Sequence, residues 1–375
     1  MNLKNFEDLC NEAISREDIS EDYKPRIKIA TAIFERLLGN ELWNMRDFMD
    51  HYLYQYIMNT APWTRNWLVW FADALRDIEG SNNFNKTLNS FKRSSLSREK
   101  FQILRNAYRF KQAGFEIAFE PPLLINNKSA ESDIEIVNKK TTDTLLVEIT
   151  EVNESDQSKE AWDSFSSMID YLSRNYIGYQ YSGELRRVVS DNTMEEIFRR
   201  IDNAVEKVNS DNLFQIIDIE NLIKLAIGKY DDPYLPNWCE KNGYQINAFS
   251  GPGVTVDETH RTKRAIRTKM RQVDDQKNNI FIIYNQNLLV RENKDIERIV
   301  EELQEEVYRY NSLLFVIVLT YNSLARFKGL RNIGQHFLSK KIINEFYSEE
   351  SLILYNRYST IRIAPDTIAK IIDSF

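Results

Sequence analysis

The residues best suited to chemistry lie mid-chain. Asp133 and Glu148 each sit in an apolar run, and a short polar link at 138–143 separates those runs. Two carboxylates held close together can bind a hard divalent cation, which prefers oxygen ligands and keeps waters in its other positions. Such an ion acidifies bound water and stabilises charge on a phosphate under attack. The chemistry therefore depends on whether the chain brings the two side chains together.

The runs 115–119, 133–137 and 144–150 are rich in Ile, Val, Leu or Phe and bounded by turn residues, which predicts three strands. The polar link makes the second and third a hairpin. Side chains alternate between faces along a strand. Ile134 and Ile136 then point one way, and Asp133 and Glu135 the other. Leu145, Val147 and Ile149 share one face, and Leu146, Glu148 and Thr150 share the opposite one. A hairpin that sets Ile134 and Ile136 over Val147 and Ile149 brings Asp133 near Glu148. The same alternation also describes the plain wet face of an antiparallel hairpin, where Asp and Glu are common.

The pattern Ser132-Asp133-Ile134, a hairpin, then Val147-Glu148-Ile149-Thr150 resembles the core of the PD-(D/E)xK nuclease superfamily, the restriction-endonuclease-like fold. A helix ending at Ala113-Gly114, followed by an extended stretch to Pro121, is similar to that family's first helix and strand. The resemblance covers 97–150 well. It implies that Asp133 and Glu148 bind Mg2+ or Mn2+, helped by the Ile149 backbone carbonyl. Ser132 stands where the family often has Pro. Thr150 stands where it has a Lys that contacts the attacking water or the phosphate. A threonine hydroxyl can hold a water but supplies no charge to an oxyanion. Either the lysine role has moved or the site is weakened.

A second informative stretch is 257–272, DETHRTKRAIRTKMRQ. Asp257 as N-cap, Glu258 in the first turn and a stripe of Ile266, Met270 and Val273 predict a helix lying on the sheet. Lys269 and Gln272 flank that stripe. A buried strand at 279–284, NIFIIY, follows. A helix carrying Lys and Gln before a hydrophobic strand is similar to the later helix of many family members, and in some a Lys there replaces the one missing from the strand. The resemblance thus assigns Lys269 as the displaced lysine and Gln272 as a water or phosphate ligand. Arg261, Lys263, Arg264, Arg267 and Arg271 give this helix a basic face for nucleic acid, or simply a solvated one. His260 lies nearby, and a lone histidine is usually structural.

The segment 91–111 carries seven positive charges against one negative, Glu99. Ser97 as N-cap and Gly114 as stop predict a helix over 98–113. Phe101, Leu104, Ala107 and Tyr108 form its buried side. Arg105 and Arg109 on the basic side are candidates for phosphate contacts, with a solvated face as the equal alternative. Glu99 resembles the extra first-helix acid of some family members.

The elements that must position these residues follow from the rest of the 375-residue chain. Residues 1–94 read as a helical domain loaded with Trp, Tyr and Phe, chiefly core. Its aromatic surface is the expected contact for a protein partner or a second copy. After Thr150, helices are predicted at 159–176 and 194–208. The runs 214–219 and 222–227 fit two strands or one helix. Residues 230–253, dense in Pro and Gly, read as irregular. Strand, helix, strand across 279–319 predicts a parallel crossover, and a short strand and a helix close the chain.

Net charge is −7, which excludes a polybasic nucleic-acid coat and leaves local patches to do any binding. Two cysteines, Cys10 and Cys239, offer no disulfide framework or metal spacing, as in a reducing compartment. No secretory signal is evident, and the longest apolar run, 313–319, is too short to cross a membrane. No nucleophile-elbow pattern is present.

The expectation is a mixed α/β, restriction-endonuclease-like core over 95–375 with an insertion around 178–256, plus the helical domain at 1–94. The expected function is metal-dependent hydrolysis of nucleic-acid phosphodiesters in the cytoplasm, DNA before RNA. The alternative is an eroded nuclease fold that binds nucleic acid or a protein without cleaving.

Overall fold

The computed structural model describes residues 3–125, 128–253, 256–288, 296–321, 329–333, 336–344 and 347–375. The chain divides into two compact units, Met1–Val152 with Glu258–Phe375, and Asn153–Asp257.

The first unit opens with helices α1 (Phe6–Ser15), α2 (Lys24–Leu38), α3 (Tyr54–Met58), α4 (Pro62–Ile78), α5 (Phe84–Phe91) and α6 (Ser94–Gln112). Pro62 starts α4, where its missing N–H costs nothing. Helix α6 begins at Ser94, earlier than expected. Ser97 lies inside it, buried, accepting a hydrogen bond from the Tyr52 amide rather than capping the helix. Gly114, at φ +84°, ends α6 as expected. Phe115 N–H reaches Phe110 O and Gly114 N–H reaches Lys111 O, which satisfies the last carbonyls.

Strands β1 (Glu116–Phe119), β2 (Pro122–Ile125), β3 (Lys128–Glu131), β4 (Ile134–Val137) and β5 (Thr144–Glu151) follow. The hairpin of β2 and β3 was not anticipated; it fills the gap between the first two expected strands.

The second unit holds α7 (Asp156–Asn175), β6 (Tyr179–Leu185), α8 (Asp191–Asp211), β7 (Gln215–Ile219), β8 (Ile223–Lys229), α9 (Leu235–Asn242) and β9 (Phe249–Ser250). Its sheet runs β7-β8-β6-β9. Helices α7 and α8 cover one face through Met168, Leu172, Ile197 and Ile201 against Leu225 and Ile227. The runs left open between two strands and a helix are strands, paired antiparallel. The stretch expected to be irregular contains α9. The inserted unit begins at 153, not 178, because α7 packs on this sheet and takes its own core with it.

The first unit resumes with α10 (Glu258–Met270), β10 (Asn279–Tyr284), α11 (Ile296–Val307), β11 (Leu313–Tyr321), β12 (Gly329–Ile333), β13 (His336–Asn344), β14 (Tyr347–Tyr355) and α12 (Pro365–Ser374). The fold is mixed α/β. Its eight-stranded sheet runs β1-β4-β5-β10-β11-β14-β13-β12. Strands β5, β10 and β11 are parallel, with the expected crossover, and antiparallel strands flank them on both sides.

Alternation along the central strands sends Val147, Ile149, Ile282 and Phe315 to one face and Phe281, Ile283, Val316 and Val318 to the other. The first face packs on Phe34, Phe71, Phe101 and Phe110 of the N-terminal helices. The second packs on Ile266 of α10 and Ile299 and Leu303 of α11. The chain therefore does not divide at residue 94 as expected. The aromatic residues of 1–94 form one continuous core with the sheet instead of closing on themselves.

Helix α12 fixes the link between β4 and β5. Asp143 accepts hydrogen bonds from Thr367 Oγ1 and the Ala364 amide, and Asn138 Nδ2 donates to Thr367. Among the described residues no helix is long and apolar enough to cross a membrane.

Candidate active site

The β4–β5 register sets Ile134 opposite Val147 and Ile136 opposite Leu145. Antiparallel strands run apart in number, so Ile136 does not reach Ile149 as expected. The first pairing suffices to bring Asp133 to Glu148. Strand β4 starts at Ile134, so Asp133 sits just outside it, and β5 continues past it unpaired on that side. There the Ile149 N–H donates to Asp133 Oδ2 at 2.7 Å. The carbonyl and amide of one residue in a strand face the same side, so the Ile149 carbonyl opens into the same notch. Ser132 is buried and donates its hydroxyl to Val147 O at 3.2 Å. This bond holds the approach to Asp133 where a proline would have stiffened it.

Glu148 projects to the α10 face and is 4% exposed. Lys269 Nζ lies 3.0 Å from its Oε2, although it comes 121 residues later in the chain. Helix α10 lies across the sheet through Ile266, so its last turn delivers the ammonium over β5. Burial pushes the Asp133 carboxyl up to about 7; the Glu148 charge adds to this, and Lys269 and the Ile149 amide oppose it. Burial alone would lower Lys269, but the charges of Asp133 and Glu148 more than offset it and hold its pKa above the ordinary lysine value.

Glu148 Oε1 is buried and accepts no hydrogen bond among the described residues. A buried carboxylate oxygen without a donor carries a desolvation cost of about 1–3 kcal/mol, which a bound ion would remove. Asp133, that oxygen and the Ile149 carbonyl are all hard donors suited to Mg2+ or Mn2+. Among the described residues no group of three or more His, Cys, Asp or Glu is placed to hold a metal. Two carboxylates with water and phosphate oxygens suit magnesium, which rarely takes an all-protein cage.

The remaining predicted residues divide. Thr150 is half-buried, two residues beyond Glu148 and opposite Ile283. Gln272 does not join the site. Helix α10 ends at Met270, which leaves Gln272 exposed in the following turn, its amide bonded to Lys269 O. Three residues of the expected basic face are engaged by acids: Arg261 by Glu258, Lys263 by Glu302, and Arg267 by Glu306 in two bonds of 3.0 and 2.7 Å. Arg264 and Arg271 are exposed. Arg105 and Arg109 are not surface contacts. Both turn inward and pair with Glu349, itself 1% exposed, because α6 packs against the sheet along most of its circumference. His260 is exposed.

Sequence reasoning missed Glu120. It is buried, has φ +46°, and binds Lys86 and Lys100 at 3.0 Å each. Its only signal was an acid wedged between an apolar strand and Pro121.

Comparison with known proteins finds no matching family model, no matching curated protein and no matching solved structure.

Proposed function

We propose that the chain is a metal-dependent nuclease of restriction-endonuclease-like architecture that hydrolyses phosphodiester bonds, with DNA the first substrate to test. The observation that carries this reading is Lys269. An ammonium from a distant helix meets the second carboxylate of the pair, in the chain whose β5 lacks a lysine two residues after that carboxylate. The order α6, β1, the β4–β5 hairpin, α10 and β10 supports it, since helix, strand, hairpin, helix, strand is what the resemblance implies. The two cysteines are free, in keeping with a cytoplasmic setting.

Asp133, Glu148 and the Ile149 carbonyl would hold Mg2+ or Mn2+. The ion would lower the pKa of attacking water and draw charge from the phosphate. The Ile149 amide keeps Asp133 aimed into the notch. Lys269 anchors Glu148 and offers its remaining N–H bonds to the incoming water or to a phosphate oxygen. Hydrolysis joins the water oxygen to phosphorus and releases the sugar oxygen, which takes up a proton.

A supercoiled-plasmid nicking assay with Mg2+ tests this. Asp133→Ala, Glu148→Gln and Lys269→Met should each cut at least about a hundredfold more slowly than wild type. Wild type cutting no better than Asp133→Ala overturns the proposal. Thr150, where the resemblance implies a lysine, favours one rival, a fold that binds nucleic acid without cleavage. Salt-sensitive binding indifferent to EDTA, with no nicking, selects it.

A further inference from the structure

Lys100, in the second turn of α6, is tied to Glu120, the residue that holds the Asp133 main chain. Its Nζ lies 3.0 Å from Glu120 Oε1 and 3.5 Å from Glu99 Oε1, and its side chain is 12% exposed. Glu120 is itself tied to the site through its backbone. Its N–H donates to Asp133 O at 3.1 Å. One residue thus holds Asp133 with its main chain and Lys100 with its side chain.

Glu120 does this in an unfavourable conformation. Its φ of +46° lies in the left-handed region, where a non-glycine side chain crowds the backbone, and Pro121 after it narrows its choice further. Such strain persists where the surroundings over-determine it, characteristically at functional sites. Here those surroundings are the Asp133 carbonyl, Lys100, and Lys86 at 3.0 Å from Glu120 Oε2. Lys86 and Lys100 each hold one oxygen of the Glu120 carboxylate at 3.0 Å.

Phosphoryl transfer builds negative charge on the phosphate oxygens, which an ammonium beyond that of Lys269 would help to meet. Thr150 adds no compensation. An ammonium offers three donors; Glu120 takes one at 3.0 Å, and Glu99 lies at 3.5 Å.

Building on the nuclease reading, we infer that Lys100 contacts the substrate phosphate as a second cation, and that Glu120 is the positioning residue that aims it. Lys86, half exposed, is the outer arm of the clamp and also bonds Glu131 at 2.7 Å.

The test uses the full-length chain and a short DNA duplex, read in two ways. Nicking is measured with Mg2+, and binding is measured against salt concentration in Ca2+, which occupies carboxylate sites without supporting cleavage. Lys100→Ala should cut at least about tenfold more slowly, and its slope of log affinity against log salt should flatten by about 0.9, one phosphate contact. Lys100→Arg should restore the slope and part of the rate. Glu120→Gln should keep the slope and lose rate, since the charge remains but its aim does not. If Lys100→Ala loses activity with an unchanged salt slope, or Lys100→Arg restores neither, Lys100 only supports the fold and the inference fails. If wild type cuts and Asp133→Ala does not, yet every Lys100 and Glu120 variant behaves as wild type, the inference fails and the nuclease reading stands. If wild type neither binds nor cuts, both fail together.

Discussion

At the scale of single residues, the site is held together against its own electrostatics. Asp133 titrates near 7 because burial and the Glu148 charge disfavour its ionised form, and its ordinary value is 3.8. The folded chain therefore holds this proton more tightly than the unfolded chain does. Between those two values stability falls as pH rises, and above about 7 the whole cost is present. Asparagine keeps the oxygen that accepts the Ile149 amide but cannot ionise. In EDTA, Asp133→Asn should be more stable than wild type by roughly 1–3 kcal/mol at pH 8. The difference should shrink steadily towards pH 4. Thermal melts at several pH values check this, and equal midpoints at pH 8 would contradict it. On the proposed function, activity and stability would oppose each other here, as is common where like charges converge on a ligand.

At the scale of elements, the decisive contact is α6 against the sheet. Arg105 and Arg109 look like a phosphate-binding face in sequence, yet they converge on the buried carboxylate of Glu349 on β14. Removing that acid takes from two inward-turned guanidiniums the buried carboxylate that both engage. Glu349→Ala should therefore cost about 3–5 kcal/mol, read as a lower urea midpoint. A loss below about 1 kcal/mol would mean that water reaches the arginines and the packing differs from that described. Helix α10 is held in the same manner from outside, with Lys263 and Arg267 on acids of α11. These pairs hold α10 against α11, and Lys269 lies in the last turn of the same helix.

At the scale of the whole molecule, the chain interrupts one unit with another. Residues 153–257 have a sheet, two long helices and a core of their own. A segment of that length with a contiguous apolar interior can fold alone. Expressed by itself it should give a cooperative thermal transition and near-native helical circular dichroism. A non-cooperative melt would show that it depends on the remainder of the chain. With a net charge of −7, nucleic-acid binding of the kind proposed would rest on few cations, and it should weaken steeply with salt only to the extent that Lys100, Arg264 and Arg271 contact phosphates.

The sequence by itself determined the local matters: the strands around Asp133 and Glu148, the stop at Gly114, the helix of Lys269 and the parallel crossover after it. These follow from side-chain periodicity and turn chemistry, which act over a few residues. The tertiary structure alone decided which charges face the site. Lys269 reached Glu148 while Gln272, one turn on, did not. Arg105 and Arg109 turned inward, and Glu120 emerged from an unremarkable Phe-Glu-Pro. Each outcome depends on a counter-charge far away in sequence, on another element or across the sheet, and no local pattern carries that information. The helical segment 1–94 gave the same lesson on a larger scale, since an aromatic face does not state whether it closes on itself or on a sheet.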